Sequence, residues 1–310
     1  MKYKEWLNIW LENYVNSTTK KRTCERYSQI VKHHIIGRLG DYELNNISLF
    51  ELQKFVTELI EHGNLLTGKG LSVNSVNGII AVVQNSLKLA YTLGEIKEYV
   101  GEKIKRPKPK EKEVSCFSTS EQKKIERAVL TSKKQKLIGI VLCLYTGLRI
   151  GELIALTWEN VDLLKGTLTI KRTCYDGKDE QGKLCRVEDE PKTASSKRTI
   201  PLPKQVLKLL KEHKKKNKSE YVISDYGKPL FVRSYQRSFD LLLKKLKIQH
   251  KGFHALRHTF ATRALECGMD VKMLSEILGH KNPTITLCRY AHSMIEYKKE
   301  MMNKLGKILE

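Results

Sequence analysis

The sequence predicts a mainly α-helical protein with a small antiparallel β-sheet, in which an all-helical N-terminal domain precedes a mixed α+β domain. Three observations lead to this fold class. Over residues 1–104, apolar side chains recur at helical spacing and no strand-like alternation is present. Residues 105–114 are rich in lysine and proline, as expected of a linker. In residues 115–310, alternation is confined to two short segments, 168–172 and 198–202.

Four helices are predicted in the N-terminal domain. The first two are marked by apolar side chains one helical turn apart: Trp6, Leu7, Trp10 and Tyr14, then Tyr27, Ile30, Val31 and Ile35. The third begins at a capping box formed by Ser48 and Glu51. The fourth follows Ser72 and ends before Gly94, a residue type that often terminates helices.

The second domain alternates helices with a few strands. A capping box at Ser118 and Glu121 predicts a helix, and an apolar helix follows from about Lys134 to Tyr145. Between the two strands, Asp176-Gly177 and Gln181-Gly182 are turn signals. Further helices are expected at about 203–216, 234–247, 254–267, 270–278 and 293–309.

The charge of the chain points to a polyanionic partner. There are 57 Lys and Arg residues against 34 Asp and Glu, a formal charge of +23, and 40 of the basic residues lie beyond position 110. In the linker, Lys105, Arg106, Lys108 and Lys110 are candidates for contact with a phosphate backbone, although solubility explains these charges equally well.

Several classes of protein are excluded by the composition. No apolar run approaches the roughly 20 residues of a membrane-spanning helix, and no apolar segment of a signal peptide follows the first residues. The seven cysteines are scattered without a C-x-x-C pair, so a reducing cytosol is expected rather than a disulfide framework or a zinc site.

Four short segments of the second domain carry side chains suited to phosphodiester chemistry. They contribute Arg149 between two glycines, His254 and Arg257 three residues apart, His280 after a glycine, and Tyr290. Each segment taken alone has an ordinary structural explanation. Together, two arginines could bind the non-bridging oxygens of a phosphate while a tyrosine attacks it, provided that its phenolate is stabilised. The sequence has no Walker loop, no carboxylate cluster for Mg²⁺ and no zinc spacing, so no cofactor, metal or ATP is expected.

The order and spacing of these motifs resemble those of the tyrosine recombinase (phage integrase) family, which includes integrases of phages and conjugative transposons and the Xer resolvases. The segments are T-G-L-R-x-G-E-L, H-x-L-R-H, L-G-H and R-Y. The resemblance covers nearly the whole chain. It implies an all-helical core-binding (SAM-like) domain at 1–104 and a catalytic domain at 115–310.

The resemblance also implies a role for each of these residues. Tyr290 would attack the scissile phosphate to give a 3′-phosphotyrosyl link and a free 5′-hydroxyl. Arg149 and Arg257 would hold the phosphate, His254 would assist proton movement at the tyrosine, and His280 would bond a phosphate oxygen.

Two further implied roles concern the hairpin lysine of the family and an acidic residue. Lys192 matches the lysine that protonates the leaving 5′-oxygen, with Lys197 as the competing candidate, and Glu152 matches an acidic residue that supports the site. Lys197 and Arg198 are expected to contact DNA. The charged segment 173–190 is longer than in minimal members, which leaves the register of Lys192 open.

The expected partner is double-stranded DNA, bound by a homotetramer acting on two sites, with no membrane partner. The last helix would either pack on its own domain or be exchanged with a neighbouring protomer, through the apolar residues Met294, Tyr297, Met301, Leu305 and Ile308. An excisionase or a host bending protein could assist, and the protein would act on the nucleoid in the cytoplasm of a bacterium. A mobile-element integrase is favoured. An Xer-type resolvase, a type IB topoisomerase and a non-catalytic DNA-binding protein remain the alternatives.

Overall fold

The computed structural model describes residues 1–109, 115–179, 181–190, 196–280, 282–284, 286 and 295–309. The chain divides into two compact units, Met1–Lys112 and Glu113–Glu310. Each unit has its own buried apolar core. The fold is mainly helical with small antiparallel sheets, so the predicted fold class is confirmed.

The regular secondary structure of residues 1–109 is helical, apart from an isolated bridge between Lys2 and Glu43. They are α1 (Tyr3–Ile9), α2 (Asn16–Thr18), α3 (Lys21–Ile30), α4 (Ile36–Leu39), α5 (Leu49–His62) and α6 (Val73–Thr92). Two π-helical segments, Trp10–Val15 and Val31–Ile35, join α1 to α2 and α3 to α4 without a break. Each of the first two predicted helices is therefore one continuous helix.

The predicted ends of α5 and α6 are confirmed by their capping bonds. The Ser48 hydroxyl accepts the Glu51 backbone N–H, and the Glu51 carboxylate accepts the Ser48 backbone N–H at 2.8 Å. The Ser72 hydroxyl caps α6 in the same manner. Gly94 follows α6 with a φ of 79°, a left-handed conformation in which glycine is favoured.

The second unit contains both α-helices and short β-strands. They are α7 (Thr119–Leu130), α8 (Ile138–Thr146), α9 (Ile150–Ile154), β1 (Val161–Asp162), β2 (Thr167–Ile170), β3 (Thr173–Lys178), β4 (Leu184–Asp189), β5 (Arg198–Pro201), α10 (Lys204–Lys216), α11 (Val232–Lys245), α12 (His254–Glu266), α13 (Val271–Leu278) and α14 (Ile295–Leu309). The apolar helix α8 is buried at every position except Tyr145, and α12 packs against it. These two helices form the centre of the core.

The strands form two antiparallel sheets. One has the order β1-β2-β5, with Leu168 opposite Ile200 and Ile170 opposite Arg198, which confirms the two predicted strands. The other is the hairpin of β3 and β4. The long charged segment 173–190 is thus largely a β-hairpin.

The turn predicted at Asp176-Gly177 is wrong, because both residues lie within β3. Gly177 is required by packing rather than by a turn, since a Cβ at this position would lie 2.8 Å from a Val187 methyl group on β4. The second predicted turn signal is correct, and Gly182 adopts a φ of 77° there.

Contacts to two helices anchor this hairpin. The Asp176 carboxylate accepts the backbone N–H groups of Val232 and Arg233, both at 2.8 Å, and so caps the start of α11. On β4, the Arg186 guanidinium donates to the Ile154 carbonyl at the end of α9, at 3.0 Å. The hairpin therefore lies close to the helix that follows Arg149.

Candidate active site

Arg149 lies at the point where α8 turns into α9. Gly147 ends α8 with a φ of 65°, and a Cβ there would lie 2.6 Å from the ring of Phe260 on α12. The chain then enters α9 with Arg149 at the N-cap, where its backbone N–H donates to the Glu152 carboxylate at 2.9 Å. The helix start predicted at Arg149 is confirmed, and its position depends on a glycine that permits close packing against α12.

Glu152 is a buried carboxylate between two arginines. Its side chain is 4% exposed, and it accepts one bond from the Arg149 guanidinium at 2.7 Å and two from Arg198 at 2.9 and 3.0 Å. Burial alone would raise its pKa, but the hydrogen bonds and charges of Arg198 and Arg149 outweigh burial and lower the pKa to about 2. Glu152 is therefore ionised near neutral pH and is a poor proton carrier, so it holds the arginines.

Arg257 is buried on the first turn of α12. It is 2% exposed, and its guanidinium donates to the Gly147 carbonyl at 2.8 Å and to the Leu278 carbonyl at 2.7 Å. A buried charged side chain is tolerated when hydrogen bonds replace its water shell. The two carbonyls hold Arg257 between the ends of α8 and α13.

Three arginines donate hydrogen bonds to three consecutive backbone carbonyls at the end of α13. The donor and acceptor pairs are Arg198 to Ile277, Arg257 to Leu278 and Arg149 to Gly279, at 2.5, 2.7 and 3.2 Å. The last carbonyls of a helix lack partners within the helix and carry its partial negative charge, so they suit cationic donors. Guanidinium groups from the N-cap of α9, from α12 and from β5 thereby bind the same helix end.

His280 follows this helix end directly. Gly279 adopts a left-handed conformation with a φ of 66°, as predicted for the residue that ends α13. The half-buried His280 places its Nδ1 2.7 Å from the Oγ1 of Thr286, which is fully buried. Thr286 was not predicted to contribute, and nothing in the local sequence pattern points to it.

His254 is the first residue of α12 and lies one turn before Arg257. It is exposed, and its ring contacts the ring of His258 edge-on, with 4.6 Å between the centroids. The helix thus presents one imidazole at the surface and one buried guanidinium from a single turn.

The structure does not describe every predicted site residue. Lys192, Tyr290 and Lys110 lie outside the described residues. Of the residues expected to contact DNA, Lys197 is exposed and its Nζ lies 3.1 Å from the Glu190 carboxylate.

Arg198 differs from the expectation that it contacts DNA. Its side chain is 6% exposed, and its donors are directed to Glu152 and to the end of α13. Period-two alternation could have indicated this, because Arg198 shares the inward face of β5 with the buried Ile200. The lysine and serines that precede Arg198 are also compatible with a solvent-exposed side chain.

In the N-terminal unit, Lys105, Arg106 and Lys108 are exposed. The Lys105 backbone N–H donates to the Gln53 side chain on α5 at 3.1 Å, and the Arg106 guanidinium donates to the Gln84 side chain on α6. The first residues after position 104 therefore run along these two helices with their charges accessible.

Within the part of the chain that the structure describes, no three His, Cys, Asp or Glu side chains are grouped so that they could hold a metal ion. Nor does any helix among the described residues have the length and apolar character needed to cross a membrane.

Two family models match the chain. The model of the phage integrase family matches residues 117–296, and that of the phage integrase N-terminal SAM-like domain matches residues 2–60. Among curated relatives, a XerC-like tyrosine recombinase of Caldanaerobacter subterraneus is 28% identical, over 97% of this chain and 81% of that protein. The ICEBs1 integrase of Bacillus subtilis is 24% identical, over 91% of this chain and 78% of that protein.

The overall architecture also matches solved structures. The Tn1549 transposon integrase in complex with transposon right end DNA aligns with a TM-score of 0.82 at 22% identity, over 99% of this chain and 100% of that chain. A lambda integrase tetramer bound to a Holliday junction aligns with a TM-score of 0.69 at 21% identity, over 92% and 79%. These likenesses concern the fold. Since the first family model covers more than half of the sequence, the chain belongs to the phage integrase family, whose members cleave and rejoin DNA.

Proposed function

We propose that this protein is a site-specific tyrosine recombinase that integrates and excises a mobile DNA element, with Tyr290 as its nucleophile. The observation that carries the proposal is the convergence of Arg149, Arg257 and His280 at the end of α13. Guanidinium forks and an imidazole match the non-bridging oxygens of a phosphodiester, and fixed donors stabilise the charge that develops on them during attack.

Strand cleavage would proceed as a transesterification at the scissile phosphate. The Tyr290 oxygen forms a bond to the scissile phosphorus, and the bond from phosphorus to the 5′-oxygen breaks. His254 takes up the phenol proton, and Lys192 supplies a proton to the leaving 5′-oxygen, with Lys197 as the alternative donor. The phosphotyrosyl link retains the energy of the broken bond, so a 5′-hydroxyl of another strand can attack it and restore the phosphodiester without ATP.

Affinity for the duplex would come mainly from lysines and arginines outside this cluster. Lys105, Arg106 and Lys108 are exposed beside α5 and α6, and Lys197 is exposed beside β5. We propose that these four residues and Lys110 contact DNA phosphates. Each phosphate contact releases counterions, so binding should weaken steeply with salt.

The active assembly would be a homotetramer on two DNA sites in the nucleoid, like the tetramer solved for lambda integrase. Of the apolar residues expected to serve an exchange of α14 between protomers, Leu305 and Ile308 are 47 and 79% exposed, while Met294 lies outside the described residues. Met302, one turn before Leu305, is 64% exposed and adds to the apolar surface that supports such an exchange. An excisionase or host bending protein would act on this assembly to set the direction of recombination.

The decisive experiment traps the covalent intermediate. Nicked duplexes tiled across the DNA on both sides of the gene are incubated with the full chain, and protein–DNA adducts are separated under denaturing conditions. We expect an adduct with specific tiles for the wild type and for Tyr226→Phe, a fully exposed tyrosine that serves as the matched control. Tyr290→Phe should give none.

Other outcomes would favour the alternatives. An adduct that persists in Tyr290→Phe refutes the assignment of the nucleophile. If the protein relaxes supercoiled plasmids of any sequence and forms adducts with all tiles alike, it is a type IB topoisomerase. Duplex binding without an adduct on any tile indicates a DNA-binding protein that does not cleave. Inverted repeats at the reactive tile, together with a neighbouring reading frame for an excisionase, would favour a mobile-element integrase. Their absence would favour an Xer-type resolvase.

A further inference from the structure

We propose that Arg198 is a positioning residue for the cleavage reaction. It acts as the buried counter-charge of Glu152, which leaves the charge of Arg149 available to the scissile phosphate. The inference rests on the proposed function and extends it to a residue that does not touch the DNA. It also replaces the expectation that Arg198 contacts DNA.

The first support is the way in which Arg198 is held. Its Nη1 and Nη2 atoms donate to the two oxygens of Glu152 at 3.0 and 2.9 Å, and Nη1 also donates to the Ser196 carbonyl at 3.1 Å. Its Nε donates to the Ile277 carbonyl at 2.5 Å. Four of the five guanidinium N–H groups are thereby used within the protein, in a side chain that is 6% exposed. A single remaining N–H group cannot form the two-bond fork by which an arginine binds a phosphate.

The second support is the arrangement of bonds around Glu152. Its Oε1 accepts the Nη1 atoms of both Arg149 and Arg198, and its Oε2 accepts the Arg149 backbone N–H and the Arg198 Nη2. The carboxylate is shared between two cations, so these three side chains together keep one positive charge. Without Arg198, Glu152 and Arg149 would form a pair with no net charge, and the attraction of Arg149 for a phosphate would fall.

The third support is the exposure of the two arginines. The side chain of Arg149 is 36% exposed, six times the fraction of Arg198, while both bond to adjacent parts of the α13 end. The inner arginine thus balances the carboxylate, and the outer one faces the space that a phosphate can enter. Arg198 acts through Arg149 and is not itself a catalytic residue.

The test compares Arg198→Gln and Arg198→Lys with Arg186→Gln as the matched control. Arg186 is another poorly exposed arginine of the same unit, which bonds to the Ile154 carbonyl and to Glu188 but not to Glu152. Two quantities are measured for the full chain: affinity for a random-sequence duplex over a range of salt concentrations, and the rate of adduct formation at saturating concentrations of a nicked duplex that the wild type cleaves.

We expect Arg198→Gln to bind the random duplex with unchanged affinity and salt dependence but to form the adduct about 100-fold more slowly, similar to the loss of one fixed donor at a reacting oxyanion. Arg198→Lys should lose about 10-fold, because it keeps the charge but not the bidentate fork. Arg186→Gln should cleave at the wild-type rate even where thermal unfolding shows a similar loss of stability. Removing the carboxylate charge as well, in Arg198→Gln with Glu152→Gln, should recover part of the lost rate.

Each contrary result has a defined meaning. A weaker affinity with a shallower salt dependence in Arg198→Gln overturns the inference in favour of a DNA contact. Equal rate losses in Arg198→Gln and Arg186→Gln, or a double variant slower than Arg198→Gln, reduce Arg198 to a purely structural role. If Arg198→Gln does not fold, a rate loss of about 100-fold in Arg198→Lys overturns the inference, because that variant keeps the counter-charge of Glu152, whereas the expected loss of about 10-fold supports it. Absence of any adduct with the wild type refutes the proposed function, whereas equal rates in wild type and Arg198→Gln refute this inference alone.

Discussion

Replacing Glu152 by glutamine should destabilise the second unit in a manner that depends on pH. Glu152 is 4% exposed, and its pKa is lowered from 4.5 to about 2 in the folded state, because the bonds and charges of Arg198 and Arg149 outweigh the opposing effect of burial. Each unit of pKa corresponds to about 1.4 kcal/mol, so the ionised carboxylate contributes on the order of 3 kcal/mol at neutral pH.

The sign of the pH dependence follows from the lowered pKa. A carboxyl group with a lower pKa in the folded state than in the unfolded state stabilises the fold above the unfolded value, and the contribution is lost as the pH falls towards the folded value. The free-energy difference between wild type and Glu152→Gln should therefore be largest near pH 7 and should narrow from about pH 4.5 to about pH 2.

Urea titrations of the full chain at a series of pH values provide the measurement, with hydrogen exchange of the peptide spanning α8 and α9 as the local probe. Glu190→Gln is the matched control, because Glu190 is 74% exposed and pairs with Lys197 at the surface. Its effect should stay below about 1 kcal/mol, as is usual for exposed ion pairs. A difference between wild type and Glu152→Gln that stays constant from pH 7 to pH 3 would refute the assignment of this stability to the ionised carboxylate.

Three further predictions concern local geometry. Gly147→Ala should lower the unfolding free energy by about 2 kcal/mol, because the residue has a φ of 65° and a Cβ would lie 2.6 Å from an aromatic ring of α12. In the control Gly37→Ala, the added Cβ meets nothing within 4 Å, so thermal unfolding should show a neutral or slightly stabilising effect. Asp176→Ala should cost about 1 kcal/mol and accelerate hydrogen exchange in the first turn of α11; unchanged exchange there would contradict its capping role. Thr286→Val should slow adduct formation about 10-fold by removing the partner of His280 Nδ1, while Thr286→Ser should retain the wild-type rate.

The sequence was sufficient where local chemistry decides the structure. Capping boxes at Ser48 and Ser118 fixed two helix starts, because side chain and backbone satisfy each other within one turn. Gly147 and Gly279 marked two helix ends next to the predicted arginine and histidine, since a left-handed residue strongly favours glycine. These local signals place Arg149 and His280 at helix boundaries independently of tertiary contacts.

Long-range partners could not be read from the sequence. Arg198 looks like a surface residue among lysines and serines, but its carboxylate partner, Glu152, lies 46 positions earlier. Asp176 looks like a turn residue, and the helix start that it caps lies 56 positions later. In both cases the local composition is compatible with two environments. The choice between them depends on which distant group is brought nearby by the packing of the whole unit.

The end of α13 shows how arginines can be gathered without losing their charge. A carboxylate for each guanidinium would fix its position but would cancel its attraction for a phosphate. Backbone carbonyls fix the position and carry only a partial charge, so Arg149, Arg198 and Arg257 together with Glu152 retain two positive charges among four side chains. An entering phosphate would meet donors that are already in place, which avoids the cost of ordering them during the reaction. The three arginines come from separate elements, and each is bonded to a carbonyl at the end of α13. The position of this helix end therefore sets the positions of all three guanidinium groups, whereas each of the other elements positions only one.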